Sequence, residues 1–131
     1  MFMERSMESD KHIFAKNCYV QGFMNKLEYT IYQDLHAYWT EQAPRLDAIV
    51  YLKTSADICH ERLVRRNRGE ESTVSLEYLE SIEARHEEWI GDKAAVKPSI
   101  PIFVIDNSLP LTPERQLEIR ESLQAFLHSL E

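Results

Sequence analysis

Apolar positions along the chain fall mostly at helical spacing, and they predict helices separated by two short strand-like runs. Ser9 is placed to cap a first helix running to about Gly22, with Ile13, Phe14, Cys18 and Tyr19 on one face and the glycine as a permissive stop. Asn25 followed by Glu28 has the form of a capping box, and Ile31, Tyr32, Leu35, Tyr38 and Trp39 keep helical periodicity up to Pro44. The run Ala48-Ile49-Val50-Tyr51-Leu52 lacks polar alternation, which predicts a strand buried on both faces, as in a parallel sheet. Thr54 or Ser55 opens the next helix, which carries Ile58, Cys59, Arg62 and Leu63. Ser75 opens another, with Leu79, Ile82, His86, Trp89 and Ile90. Pro101 precedes a second strand, Ile102-Phe103-Val104-Ile105, closed by the turn chemistry of Asp106-Asn107-Ser108. Thr112 and Pro113 start a last helix whose Ile119, Leu123, Phe126, Leu127 and Leu130 form an apolar stripe.

Strand, helices, strand, helix is an α/β order. Two strands, with at most a stub of a third at Met1 to Met3, are too few to bury this much helical surface, because a two-stranded sheet is marginal by itself. No repeat, linker or low-complexity segment divides the chain. A single domain over 1–131 is therefore expected, with further sheet material expected before residue 1.

Composition narrows the functional classes. With 131 residues, 44% hydrophobic and 28% charged, the chain fits one soluble domain. A net charge of −7 argues against general attraction to nucleic acid or to an anionic membrane, so any anion site must be local. No stretch approaches the roughly 20 apolar residues that cross a bilayer, which predicts an intracellular soluble protein. Cys18 and Cys59 lie in helical patterns without metal-ligand spacing and read as reduced core thiols. The local anion site is the run Arg65-Arg66-Asn67-Arg68-Gly69-Glu70-Glu71, which joins two helices and suits a lid, about 65–74, closing over phosphates. The same run also suits a solvated helix end favoured by the helix dipole.

Several short motifs stand in a telling order: Glu4-Arg5-Ser6, Ser9-Asp10-Lys11-His12-Ile13-Phe14-Ala15, Tyr29-Thr30-Ile31-Tyr32-Gln33-Asp34, Tyr51-Leu52-Lys53-Thr54-Ser55, Arg66 to Glu71, and Leu76-Glu77-Tyr78-Leu79. His86-Glu87-Glu88-Trp89 continues the series. Together they resemble the deoxynucleoside kinases of the deoxycytidine and deoxyguanosine kinase group, over nearly the whole chain to about Asp106. The resemblance implies part of a P-loop kinase fold, a parallel sheet remnant of two to three strands with flanking helices. It implies transfer of the γ-phosphoryl group of ATP, with Mg²⁺, onto the 5′-hydroxyl of a deoxynucleoside in nucleotide salvage.

The implied roles follow the motifs. Arg66 and Arg68 are the lid arginines that clamp the transferring phosphoryl group; Arg62, one turn earlier, and Asp106 belong with the nucleotide. Glu71 accepts from the sugar 3′-hydroxyl. Arg5 points at the 5′-oxygen, while Glu4 helps hold Mg²⁺ through water. Asp10 reads the edge of the base, favouring deoxycytidine or a purine deoxynucleoside, and Phe14 stacks on it. Each has a plainer alternative: Phe14 as core, Asp10 as a first-turn acid favoured by the dipole, Glu4 as an ion-pair partner of Arg5. The resemblance also implies a homodimer in the full-length form and a cytoplasmic location, with mitochondria and nucleus left open.

One departure stands out. The phosphate loop G-x-x-x-x-G-K-[ST] is absent, since none of the glycines Gly22, Gly69 and Gly91 is followed by Lys-Ser or Lys-Thr. The chain is therefore expected to be the carboxy-terminal part of a kinase, active only when an amino-terminal part is present. The alternative is a catalytically inactive remnant that serves as a nucleotide-binding or protein-interaction module.

Overall fold

The computed structural model describes residues 2–66, 68–69, 73–91 and 99–130. In chain order its elements are α1 (Met7–Ser9), a π-helical stretch (Asp10–Ala15), α2 (Lys16–Val20), α3 (Lys26–Gln42), β1 (Ile49–Lys53), α4 (Ala56–Arg66), α5 (Leu76–Trp89), β2 (Ile102–Asp106) and α6 (Pro113–His128). They form two compact units, each assembled from two separated stretches. A helical unit joins Met1–Arg45 to Ser75–Pro98, and a strand-bearing unit joins Leu46–Val74 to Ser99–Glu131. The architecture is α/β, with a two-stranded parallel sheet and flanking helices.

The first helix starts earlier than its sequence suggests. Ser6, not Ser9, is the N-cap: its hydroxyl accepts from the Ser9 amide at 3.2 Å while Ser9 Oγ accepts from the Ser6 amide at 2.7 Å. A serine at the third helical position thus fills the place usually taken by Glu or Gln in a capping box, satisfying two amide groups reciprocally. From there the helical run 7–20 widens into π geometry, and the Lys16 amide donates to the Lys11 carbonyl five residues back. Gly22 follows α2 at a φ of 79°, as expected of a glycine stop. The capping box of Asn25 with Glu28, and the caps Ser75 and Thr112, form as expected.

Packing in the helical unit centres on Ile13, which is 2% exposed, with Ala15 and Ile90 also buried. Asn17 is buried as well and donates to Ser81 Oγ at 3.1 Å, tying α2 to α5. In α3 the packed face shares only Tyr32 with the apolar stripe. Ile31, Leu35, Tyr38 and Trp39 are each at least half exposed, whereas Tyr29, Tyr32, His36 and Thr40 are the covered positions. Stacking decides the orientation. Tyr29 lies on Tyr19 with ring centroids 4.5 Å apart, and the buried His36 sets Nε2 3.1 Å from the Met7 carbonyl. These contacts use aromatic surface while still satisfying polar atoms.

In the strand-bearing unit β1 and β2 pair in parallel with Tyr51 opposite Val104. The Ile49 amide donates to Pro101 and the Asn107 amide to Lys53, which extends the ladder at both ends. Phe103 meets Phe126 of α6 at 5.1 Å between ring centroids, and Tyr51 and Ala56 are buried. The expected burial on both faces is not realised: Leu52 is 57% and Val104 50% exposed. Two strands pair only with each other among the described residues, so both outer edges are unpaired, and Leu52 and Val104, on opposite faces by their register, show that neither face is fully covered.

Gly91 closes α5 against its own helix. A Cβ there would lie 2.4 Å from Glu87 Oε2 and 2.7 Å from the Glu87 backbone Cα, an approach that side-chain motion alone cannot relieve. Gly91→Ala is expected to destabilise the chain by about 1–3 kcal/mol in chemical denaturation, the range of overpacked sites. An unchanged midpoint would contradict this packing.

Candidate functional site

The helical unit contains a cavity of about 560 Å³ whose walls include Arg5, Ser6, Asp10, Tyr32, His36 and Trp39. Its geometry begins at Arg5, which sits at a φ of 61°, a left-handed conformation unfavourable for a side chain of this size. The turn brings the Arg5 guanidinium over the Phe14 ring at 4.7 Å from its centroid. Immediately afterwards the Ser6 and Ser9 box launches the helix, and Asp10 opens its π-helical stretch.

Asp10 is exposed, and its partner comes from α3: the Tyr32 hydroxyl donates to Asp10 Oδ2 at 2.6 Å. Burial, reinforced by this hydrogen bond to the Asp10 carboxylate, pushes the Tyr32 hydroxyl well above the usual tyrosine range. Tyr32 therefore stays a neutral donor and holds one carboxylate oxygen in place, leaving the other to meet a ligand. Phe14 is half-buried beneath Arg5 and is not among the cavity walls. Glu4, just before the turn, is exposed. A cation, a carboxylate and a hydroxyl around an apolar-walled cavity can orient a small molecule bearing both hydrogen-bond donors and acceptors.

Beside that cavity, on the same first helix, His12 stacks on Trp89 with ring centroids 5.0 Å apart, and its Nε2 lies 3.4 Å from Glu8 Oε2. Burial lowers its pKa despite the opposing Glu8 carboxylate. His86 is also lowered by burial, against the opposing hydrogen bond from its Nδ1 to the Ile82 carbonyl at 2.8 Å.

The strand-bearing unit gathers polar groups at the carboxyl ends of its two parallel strands, the usual location of ligand sites in open α/β sheets. Asn107 is the hub. Its carbonyl accepts from Arg62 Nη2 at 2.7 Å, and its side-chain amide donates to Thr54 Oγ1 at 3.2 Å. The Asp106 carboxylate accepts from the Ser108 amide at 2.9 Å, and the Asp106 carbonyl accepts from the Arg115 guanidinium. The Ser108 amide holds the exposed Asp106 carboxyl below the usual range, so it is charged at neutral pH. Arg62 is thus anchored to backbone through one nitrogen. Arg66 ends α4 and Arg68 lies two residues on, both exposed, while Glu71 falls outside the described residues.

Within the helical unit, Arg5, Asp10 and Phe14 come together; within the strand-bearing unit, Arg62 and Asp106 do. Tyr32, Asn107 and Arg115 were not anticipated. The signal for Tyr32 was the spacing of Tyr29, Tyr32, His36 and Thr40 along one face of α3, hidden by the stronger apolar stripe. Asn107 read only as a turn residue. Among the described residues no group of three or more His, Cys, Asp or Glu is arranged to hold a metal ion, and no helix is long and apolar enough to cross a membrane.

Comparison with known proteins bears on this arrangement. A family model described as "Deoxynucleoside kinase" matches residues 1–128. The chain is 43% identical over 138 residues to deoxycytidine kinase of Homo sapiens, covering 99% of the chain and 53% of that protein. It is 41% identical over 113 residues to deoxycytidine kinase 2 of Gallus gallus, covering 80% of the chain and 43% of that protein. It is 43% identical over 93 residues to mitochondrial deoxyguanosine kinase of Xenopus laevis, covering 69% and 35% respectively. The chain spans about half the length of the curated relatives it matches.

The two partly buried imidazoles give a pH signature. Both fall below the ordinary 6.5, so the unfolded chain takes up protons first as pH drops. Their contribution to stability is complete above pH 6.5 and is lost as pH falls through 6.5 towards the folded-state values. The double variant His12→Gln, His86→Gln is expected to show a smaller fall in thermal midpoint between about pH 7.5 and 5.5 than the parent. An equal fall in both proteins would contradict the burial argument.

Proposed function

The chain belongs to the deoxynucleoside kinase family, and from that premise we propose that it serves the transfer of the γ-phosphoryl group of ATP to the 5′-hydroxyl of a deoxynucleoside in nucleotide salvage. It does so with a phosphate-loop segment that its 131 residues do not include. Both compact units belong to one kinase domain in this reading. The observation that carries it is the Asp10 carboxylate held by Tyr32 at the cavity shared with Arg5. A fixed carboxylate accepts from an exocyclic amine and disfavours a base edge that presents only a carbonyl there, which favours deoxycytidine or a purine deoxynucleoside over thymidine.

The remaining roles rest on chemistry. Arg5 binds the oxygen at the 5′ end of the sugar through its guanidinium fork; Phe14 supports Arg5 from below and adds apolar surface next to the base. Arg66 and Arg68 neutralise charge spread over the equatorial oxygens of the transferring group, and the guanidinium fork suits phosphate oxygens. Glu71 bonds the sugar 3′-hydroxyl, while Arg62 and Asp106 frame the nucleotide at the strand ends. Mg²⁺ in such sites takes one or two carboxylates and completes its shell with water and phosphate, and the exposed Glu4 fits a single-carboxylate contribution. When bound, the metal offsets negative charge on the phosphates.

A second reading, a non-catalytic nucleotide-binding or interaction module, draws on the exposed apolar face of α3 and the uncovered sheet positions Leu52 and Val104. In the kinase reading the α3 face is instead a surface for association, including a homodimer of the longer protein.

The test is ADP release with deoxycytidine, deoxyguanosine and deoxyadenosine. It compares the 131-residue chain with a chimera that joins it to the amino-terminal half of a deoxycytidine kinase. Turnover is expected only in the chimera, falling by about 10³-fold or more in Arg66→Ala, the scale of a lost phosphate-clamping arginine. Turnover by the chain alone that disappears in Arg66→Ala would overturn the need for the phosphate loop. A folded chimera inactive on every deoxynucleoside would overturn the kinase reading.

A further inference from the structure

A second cleft in the helical unit, of about 260 Å³, shares no wall residue with the cavity of Arg5 and Asp10. Its walls include Lys11, His12, Lys16, Tyr29, Arg85 and Trp89. We propose that this cleft binds a small phosphate-bearing anion, of the class of pyrophosphate or the phosphates of a mononucleotide, apart from the cavity of Arg5 and Asp10.

The geometry begins with the π-helical stretch. In a regular α-helix Lys11 and Lys16 would project in well-separated directions; the wider π turn, sealed by the Lys16 amide on the Lys11 carbonyl, brings them towards one side. Arg85 enters from α5 with its side chain only 13% exposed. Its Nη2 is fixed by Glu88 Oε1 at 2.8 Å, whereas its buried Nε has no hydrogen-bond partner among the described residues. That nitrogen is shielded from solvent, so it marks the guanidinium as incompletely satisfied, and Arg85 meets the cleft through the rest of its side chain.

Charge points the same way. Three cations face a single wall carboxylate, Glu88, in a chain whose overall charge is −7, so this local excess is built against the background. Partial burial disfavours the charged form of His12, which with Trp89 forms a stacked aromatic wall. Two lysines and an arginine lining one cleft from two helical segments suit the several oxygens of a phosphate better than the two of a carboxylate. The cleft's volume suits a small molecule rather than a polymer backbone.

Isothermal titration of the 131-residue chain with pyrophosphate, in low-salt buffer without divalent metal, tests the site. Saturable binding of one equivalent is expected. It should weaken by about tenfold or more in Lys16→Gln and in Arg85→Gln, the scale of one lost charge-assisted hydrogen bond. It should be retained in Lys16→Arg, in Lys26→Gln as a charge-matched control, and in the pair Arg66→Ala, Arg68→Ala. Should Arg85→Gln unfold because Glu88 loses its partner, Lys11→Gln and Lys16→Gln on the more exposed wall decide the matter. Absence of saturable heat, full affinity in Lys16→Gln, or loss of binding in the Arg66, Arg68 pair would overturn the proposal. The last outcome assigns the anion to the lid arginines and leaves the kinase reading standing.

Discussion

The helical unit depends on the reversal at Arg5. A left-handed φ of 61° on an arginine costs about 1 kcal/mol or more, and it persists because neighbouring contacts hold it. The reciprocal Ser6 and Ser9 box, worth about 1 kcal/mol as a cap, fixes the helix start directly after the turn, and the cation over Phe14 adds a contact of similar scale. Together they aim the guanidinium and place Asp10 on the first helical turn where Tyr32 can reach it. Without the reversal, the arginine and the aspartate would not share a cavity.

The π-helical stretch is the second constraint, and it acts on two sides at once. Asp10 and Lys11, adjacent and so about 100° apart around the helix, line different clefts, one with Tyr32 and the other with Arg85 and Trp89, while the π turn brings Lys16 round towards Lys11. Adjacent residues of opposite charge thereby serve separate electrostatic environments within one small unit. Ile13, the most buried residue among those described, sits inside the same stretch and anchors it to the core, so the irregular backbone is supported by packing.

Much of the fold was legible in the sequence because it rests on local chemistry. Asn25 with Glu28, Ser75, Thr112 with Pro113, and the two continuous β-rich runs are signals whose physics lies within a few residues, and each formed where expected. Features that stayed hidden needed partners distant in sequence or a competing local one. Ser9 looked like a cap until Ser6 offered a reciprocal one; the apolar stripe of α3 looked like core until Tyr19 stacked on Tyr29 and turned the helix over. Strand hydrophobicity predicted covered faces, and with only two strands described the covering is partial. The site divides in the same way. Arg5 and Asp10 were legible from short motifs, whereas Tyr32 lies 22 residues from Asp10 and Asn107 lies 45 from Arg62, separations that no local pattern reports.

At the centre of the kinase reading stands the claim that the cavity of Arg5, Asp10 and Tyr32 receives a deoxynucleoside. The most direct measurement is an NMR titration of the isotopically labelled chain with deoxycytidine, tracking the Arg5 Nε–H and the Tyr32 ring resonances. Both signals are expected to shift together and saturate, and thymidine should produce weaker changes because its edge lacks the amine that Asp10 accepts from. Signals from Arg5 and Tyr32 that stay fixed while deoxycytidine shifts resonances elsewhere would contradict the claim.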